Sequence, residues 1–178
     1  MSKIEEIELD FEIDKLTNSI ENSLTGEVFD TEIRKVHIEQ SKLIKKPDWG
    51  FDWKKELKNP YNEVFKLTTI NNPTIIQGLI CFNDKQDHLF MPLIESAKFN
   101  KGKHKLYKGV AGNLVAYACK TSFEKGYDGV VSFIAKSKLI EHYQKTLGAK
   151  IFGGGNRMFI DTRESLLLVK QYFKDFQL

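Results

Sequence analysis

A glycine-bearing, lysine-flanked turn that runs directly into an amphipathic helix constrains this chain more than any other stretch: Leu106-Tyr107-Lys108-Gly109-Val110-Ala111-Gly112-Asn113-Leu114. Glycine lets the backbone approach a ligand closely, and a helix start offers N–H groups without intrahelical partners at the positive end of its dipole. The pattern predicts a phosphate site, suited to a cofactor. Lys98, Lys101, Lys103, Lys105 and Lys108 crowd just before the helix, with His104 among them, and a basic window there suits a phosphorylated ligand. A plain strand-to-helix connection beside a wet lysine loop is the alternative.

With 178 residues, 41% of them hydrophobic, the chain has material for one substantial core, so residues 1–178 are expected to form a single domain. The formal charge of +3, from 27 basic and 24 acidic residues, is too small to imply a nucleic-acid protein by itself. Cys81 and Cys119 stand far apart with no companion at metal-ligand spacing, so neither a metal site nor a disulfide framework is expected. No apolar run is long enough for a membrane span, and the start lacks the plan of a signal peptide; a soluble cytoplasmic protein is expected.

Ile7, Leu9, Phe11 and Ile13 alternate with Glu8, Asp10 and Glu12, which predicts a first strand with one wet, acidic face. Residues 15–60 are read as a variable helical region, from Leu16, Ile20 and Leu24 and then Phe29, Ile33 and Val36. Trp49, Phe51 and Trp53 flank Gly50; packing on the core is favoured over an apolar wall for a substrate. Three β-branched or aromatic runs, 64–70, 74–82 and 88–95, predict an antiparallel meander, and Pro92 predicts a bulge or break in the third. Val115, Ala118, Cys119 and Ser122 share one face of the helix after the turn. A buried strand at 130–135, a helix stopped by Gly148, a hairpin across Gly153-Gly154-Gly155 and a closing helix over 162–176 capped by Asp161 complete the reading.

This order resembles the GNAT superfamily of N-acetyltransferases. Leu106-Tyr107-Lys108-Gly109-Val110-Ala111 is similar to the family's [Gln/Arg]-x-x-Gly-x-[Gly/Ala] acyl-CoA motif at both small positions and departs from it at Leu106, where Lys105 or Lys108 could substitute for the lost contact. Residues 139–149 look like the family's Phe-Tyr-x-x-x-Gly-Phe stretch, with one extra residue before Gly148 and Ala149 in place of the aromatic. The likeness covers roughly residues 60–160. It implies an α/β (α+β) fold: a mixed, mostly antiparallel central sheet flanked by helices and splayed at its fourth and fifth strands.

The resemblance further implies acetyl-CoA as co-substrate, bound in that wedge and attacked directly by an amine. Gly109, Val110, Ala111, Gly112 and Asn113 would bind the diphosphate, Lys105 and Lys108 would attract phosphate, and a free N–H near Leu93 or Ile94 would polarise the acyl carbonyl. Tyr143 is the expected acid toward the departing thiolate, and Glu95 the expected acceptor of the amine proton. Asn100 would orient the acceptor or a water. Each has a structural alternative: Tyr143 as a core aromatic, Glu95 as a solvated strand end, Asn100 as a loop shaper, and Cys119 as packing. Neither His104 nor His142 is assigned a role. The expected acceptor is an amine-bearing small molecule or protein; the oligomeric state is open, a homodimer included. Two other readings compete: a non-catalytic acyl-CoA-binding or scaffold module of the same fold, and a nucleic-acid surface built from the lysine loop with Trp49, Phe51 and Trp53.

Overall fold

A computed structural model describes residues 7–178. Alternating apolar and polar side chains give the extended segments one face each, and their ladders decide which segments become strands. The first part of the chain holds β1 (Ile20–Asn22), β2 (Val28–Phe29), β3 (Thr31–Val36), two 3-10 turns and α1 (Trp53–Lys58). The helices expected around Ile20 and Ile33 are therefore replaced by strands. Ile20 is fully buried while Leu24 is 95% exposed in the turn after β1, so their spacing does not mark one helical face. Thr31, Ile33 and Val36 are β-branched, and their segment finds a full ladder on the next strand, which outweighs a weak helical pattern.

The meander follows as β4 (Asn62–Thr69), β5 (Gly78–Asp84) and β6 (Leu89–Ser96). After it come β7 (Tyr107–Lys108), α2 (Val110–Glu124), β8 (Val131–Ile134), α3 (Ile140–Leu147), β9 (Lys150–Ile151), β10 (Arg157–Ile160) and α4 (Thr162–Tyr172). Seven strands form the main sheet in the order β3-β4-β5-β6-β8-β10-β9, and β2-β1-β7 form a small second sheet. In the main sheet β6 and β8, its fourth and fifth strands, are the parallel pair; the other pairings are antiparallel. Asp161 caps α4 by accepting the Glu164 N–H (3.0 Å), and Gly148, with φ 64°, ends α3.

Along β5, Leu79 and Cys81 face one core cluster with Trp53 and Leu93, while Ile80 and Phe82 face another with Leu114 and Val115 of α2. The sheet thus has a core on each face. Trp49 and Trp53 are buried in the first cluster, as the packing reading expects. Burial of both indoles removes the stacking platform that a nucleic-acid surface needs.

The acidic segment at residues 7–13 keeps its alternation, with Leu9 and Ile13 buried and Asp10 and Glu12 exposed. It is nevertheless not the first strand of the meander. Its bridge joins Leu9 to Ala135, parallel, and β3 takes the expected first place.

Among the described residues no helix is long and apolar enough to cross a membrane. Phe133 is fully buried and meets the Tyr143 ring edge-on, with centroids 5.4 Å apart. Phe133→Ala is expected to cost about 3–5 kcal/mol of stability, read as a lower urea midpoint.

Candidate active site

Pro92 cannot donate to a ladder, and the sheet changes around it. Facing pairs run Cys81–Leu93 and then Asn83–Phe90, so Met91 and Pro92 bulge opposite Phe82. On the other side, β6 pairs with β8 only at Leu89–Val131 and Phe90–Ser132 before the two strands part. The Ala97 N–H to Gln77 C=O bond (2.9 Å) sets the phase of the β5–β6 ladder. By alternation, Glu95 and Leu93 spend their backbone groups on β5, whereas those of Ile94 and Ser96 point toward β8. Of the two residues expected to present a free N–H, Ile94 points its N–H away from β5 and Leu93 points its own toward β5.

On the β6 side of this parting lies a cavity of about 320 Å³. Ile94, Glu95 and Ser96 line it from β6, Val110 and Ala111 from α2, Asn100, Lys101 and Lys105 from the intervening loop, and Asp10, Phe11, Glu12 and Asp14 from the N-terminal segment. The glycine turn, the splayed strand and the lysine loop therefore converge.

Gly109 takes φ 86° and starts α2; a Cβ there would overlap Thr17 Oγ1, so both conformation and space demand glycine. Its N–H donates to Asp14 Oδ1 (3.1 Å), and Lys105 Nζ reaches Asp14 Oδ2 (3.1 Å). The anion position of the turn is thus held by a carboxylate of the chain itself. Gly112 is packed under Leu16 and the Tyr172 hydroxyl, and Asn113 Nδ2 donates to Thr31 Oγ1 (2.9 Å). Lys108 lies in β7 opposite Glu21. Two further lysines of the window are committed: Lys98 to the Pro47 carbonyl and Lys101 to Glu95 Oε2 (3.1 Å).

Tyr143 is fully buried at the other end of the opening, with its hydroxyl donating to the Phe11 carbonyl (2.6 Å) and its ring 5.1 Å from the Phe11 ring. Burial, and then the charges of Asp10 and Glu12, push the phenol well above its ordinary pKa, so it keeps its proton. His142, left without a role by the sequence, accepts the Ile13 N–H at Nε2 (2.9 Å).

Glu95 differs from the exposed strand end considered in the sequence. Only 2% of its side chain is exposed, and it accepts from Gly50 N–H (2.7 Å), Phe51 N–H (3.2 Å), Trp53 Nε1–H (2.9 Å) and Lys101 Nζ (3.1 Å). Four donors fill a carboxylate's accepting positions. Glu95 thereby fastens residues 50–53 across β6. Asn100 is likewise spent on structure: Nδ2 donates to the Gln77 carbonyl (3.1 Å) and Oε1 (2.9 Å), and Oδ1 accepts the Tyr107 N–H (3.1 Å). Its place on the cavity wall is as expected, but its polar atoms hold the loop. Sequence could not locate donors 45 residues before Glu95, although the tight Trp49-Gly50-Phe51-Asp52-Trp53 cluster was a signal of them.

No protein-family model matches the sequence, and no curated protein does. Solved structures do. A mutant form of spermidine N-acetyltransferase SpeG from Vibrio cholerae aligns over 77% of this chain and 96% of its own, with TM-score 0.50 and 14% identity. A Bacillus anthracis protein described as a streptothricin acetyltransferase, solved with acetyl coenzyme A, covers 74% and 95% at TM-score 0.48 and 12% identity. Campylobacter jejuni N-acetyltransferase PseH covers 72% and 94% at 0.46 and 16%. The chain has the GNAT fold. Within that fold β6 and β8 are the splayed pair, and α2 begins at the mouth between them.

Among the described residues no group of three His, Cys, Asp or Glu side chains is placed to hold a metal ion. Burial raises the Cys119 thiol to about 12 and pushes Cys81 well above its ordinary value. Neither thiol is expected to react with a maleimide near pH 8 in the folded chain, while both react in denaturant, as a thiol titration would read. Glu95→Gln leaves N–H donors facing an amide that can accept fewer of them and strands Lys101. It should cost about 2–4 kcal/mol in urea unfolding, with a changed Trp53 emission.

Proposed function

We propose that this protein is an acetyl-CoA-dependent N-acetyltransferase that passes the acetyl group directly to an amine in a ternary complex. The observation that carries the reading is the parting of β6 from β8 after Phe90, beside a helix that starts from a left-handed glycine. The donor set suits the carrier. Unpaired amides of the first turn of α2, with Lys105 beside them, suit a diphosphate, and the Ile94 N–H suits the oxygen of an acyl carbonyl.

The amine nitrogen bonds to the acyl carbon as the carbon–sulfur bond breaks. Tyr143 supplies a proton to the departing sulfur, and the amine's surplus proton, passed through water, restores the phenol, whose raised pKa favours the protonated form. Glu95, with all its accepting positions filled, is assigned to holding the wall rather than collecting that proton. SpeG shares the fold and is named for spermidine; for this chain the acceptor class proposed is an amine, on a small molecule or a protein. The saturated Glu95 carboxylate also favours a second reading, in which the same site binds acyl-CoA without turnover.

Incubation with acetyl-CoA and a panel of amines, followed by thiol release, separates these readings. Tyr143→Phe is expected to lower kcat about a hundredfold without weakening acetyl-CoA binding. Binding with no thiol release for any amine would favour the second reading, and unchanged kcat in the variant would remove Tyr143 from the chemistry.

A further inference from the structure

Several of the polar features that the proposed carrier would use are already engaged, and one short segment engages most of them. The Leu9 N–H donates to the Ile134 carbonyl (2.6 Å), and the Leu9 carbonyl accepts from the Lys136 N–H (3.0 Å). This is the same edge of β8 on which Leu89 N–H donates to the Val130 carbonyl (3.2 Å), so Leu9 takes up the edge where β6 leaves it. Two residues on, the Phe11 carbonyl accepts the Tyr143 hydroxyl. Ile13 N–H is held by His142, and Asp14 places its carboxylate between the Gly109 N–H and Lys105. Residues 9–14 in extended form span roughly 17 Å, enough to run from the β8 edge to the start of α2.

We propose that residues 9–14 are an autoinhibitory strap: an extended amide chain ending in an anion, bound in the acyl-CoA cleft in place of the ligand, and displaced when ligand binds. This rests on the acyl-CoA reading of the site. The apolar anchors are Leu9, Ile13 and the half-buried Phe11, while Asp10 and Glu12 stay exposed, so the strap lies on the cleft by one face. Its far end is firm: Thr17 N–H donates to the Tyr172 hydroxyl (2.9 Å), and Thr17 packs on Gly109. Lys15, between Asp14 and that anchor, is exposed and pairs with Glu21 of β1 (3.0 Å), so release of the strap would turn the chain just before it. A strap closed most of the time divides the apparent affinity by the inverse of its open fraction.

The test compares acetyl-CoA binding by the full chain, by Phe11→Ala/Asp14→Ala, and by a chain lacking residues 1–13, each checked for native circular dichroism. Hydrogen exchange of the Leu9 and Ile13 amides is followed in the full chain. The double variant is expected to bind at least about tenfold tighter. A synthetic peptide of residues 7–16 should compete with acetyl-CoA for the shortened chain, and added acetyl-CoA should expose the Leu9 and Ile13 amides in the full chain. Equal affinity of full chain and variant, with both amides still protected, overturns the strap and leaves the acyl-CoA reading standing. Absence of binding by every folded form at millimolar acetyl-CoA overturns both. Should both altered chains fail to fold, amide exchange in the full chain decides alone: deprotection on binding supports the strap, and unchanged protection overturns it.

Discussion

Two strands that part inside a folded core leave two backbone edges that must find partners, and this structure is organised around that demand. Pro92 and the bulge beside it end the pairing of β6 with β8 after two residues, and the sheet opens from there. The β6 edge, at Ile94 and Ser96, faces a cavity in which water can satisfy it. The β8 edge, at Ile134 and Lys136, takes Leu9 instead. One edge stands open and the other is covered by the chain itself.

Charge follows the same division. The lysine window before α2 suggests a reservoir of positive potential, yet three of its members are fastened: Lys98 to the Pro47 carbonyl, Lys101 to Glu95 and Lys105 to Asp14. Lys98 holds Pro47, and Lys101 pairs with the Glu95 carboxylate that fastens residues 50–53 to β6. Lys105 and the Gly109 N–H face the Asp14 carboxylate where the proposed carrier would place its diphosphate. The positive site is real as electrostatics, and Asp14 offsets it from a chain that Thr17 anchors to the Tyr172 hydroxyl just beyond.

Much of this was legible in the sequence wherever local chemistry decides. The glycine turn, the buried face of α2, the Pro92 bulge, the Asp161 cap and the Gly148 stop all depend on residues within a turn of one another. What the sequence did not show was set by distant partners. Residues 31–36 became a strand because β4 offers them a ladder of six facing pairs, and the acidic segment's alternation was correct while its partner, Ala135, lay far along the chain. Glu95 and Asn100 carry the residue types of a site, and only the fold shows that their polar atoms are spent on backbone, indole and side-chain partners.

The alternation of residues 9–14 also determines what can release them. Asp10 pairs with Lys136 (2.8 Å) and Asp14 with Lys105 (3.1 Å), both at partly exposed positions where an ion pair contributes little net stability and is screened by salt. The hold therefore comes from buried Leu9 and Ile13, the Phe11–Tyr143 ring contact and the backbone bonds to β8, none of which salt weakens much. Ionic strength alone is a poor key to such a cleft. On the proposed release, a ligand that carries its own amides and its own anionic end replaces the backbone bonds and the Asp14 contact together, and its apolar part must also fill the space that Leu9, Phe11 and Ile13 vacate.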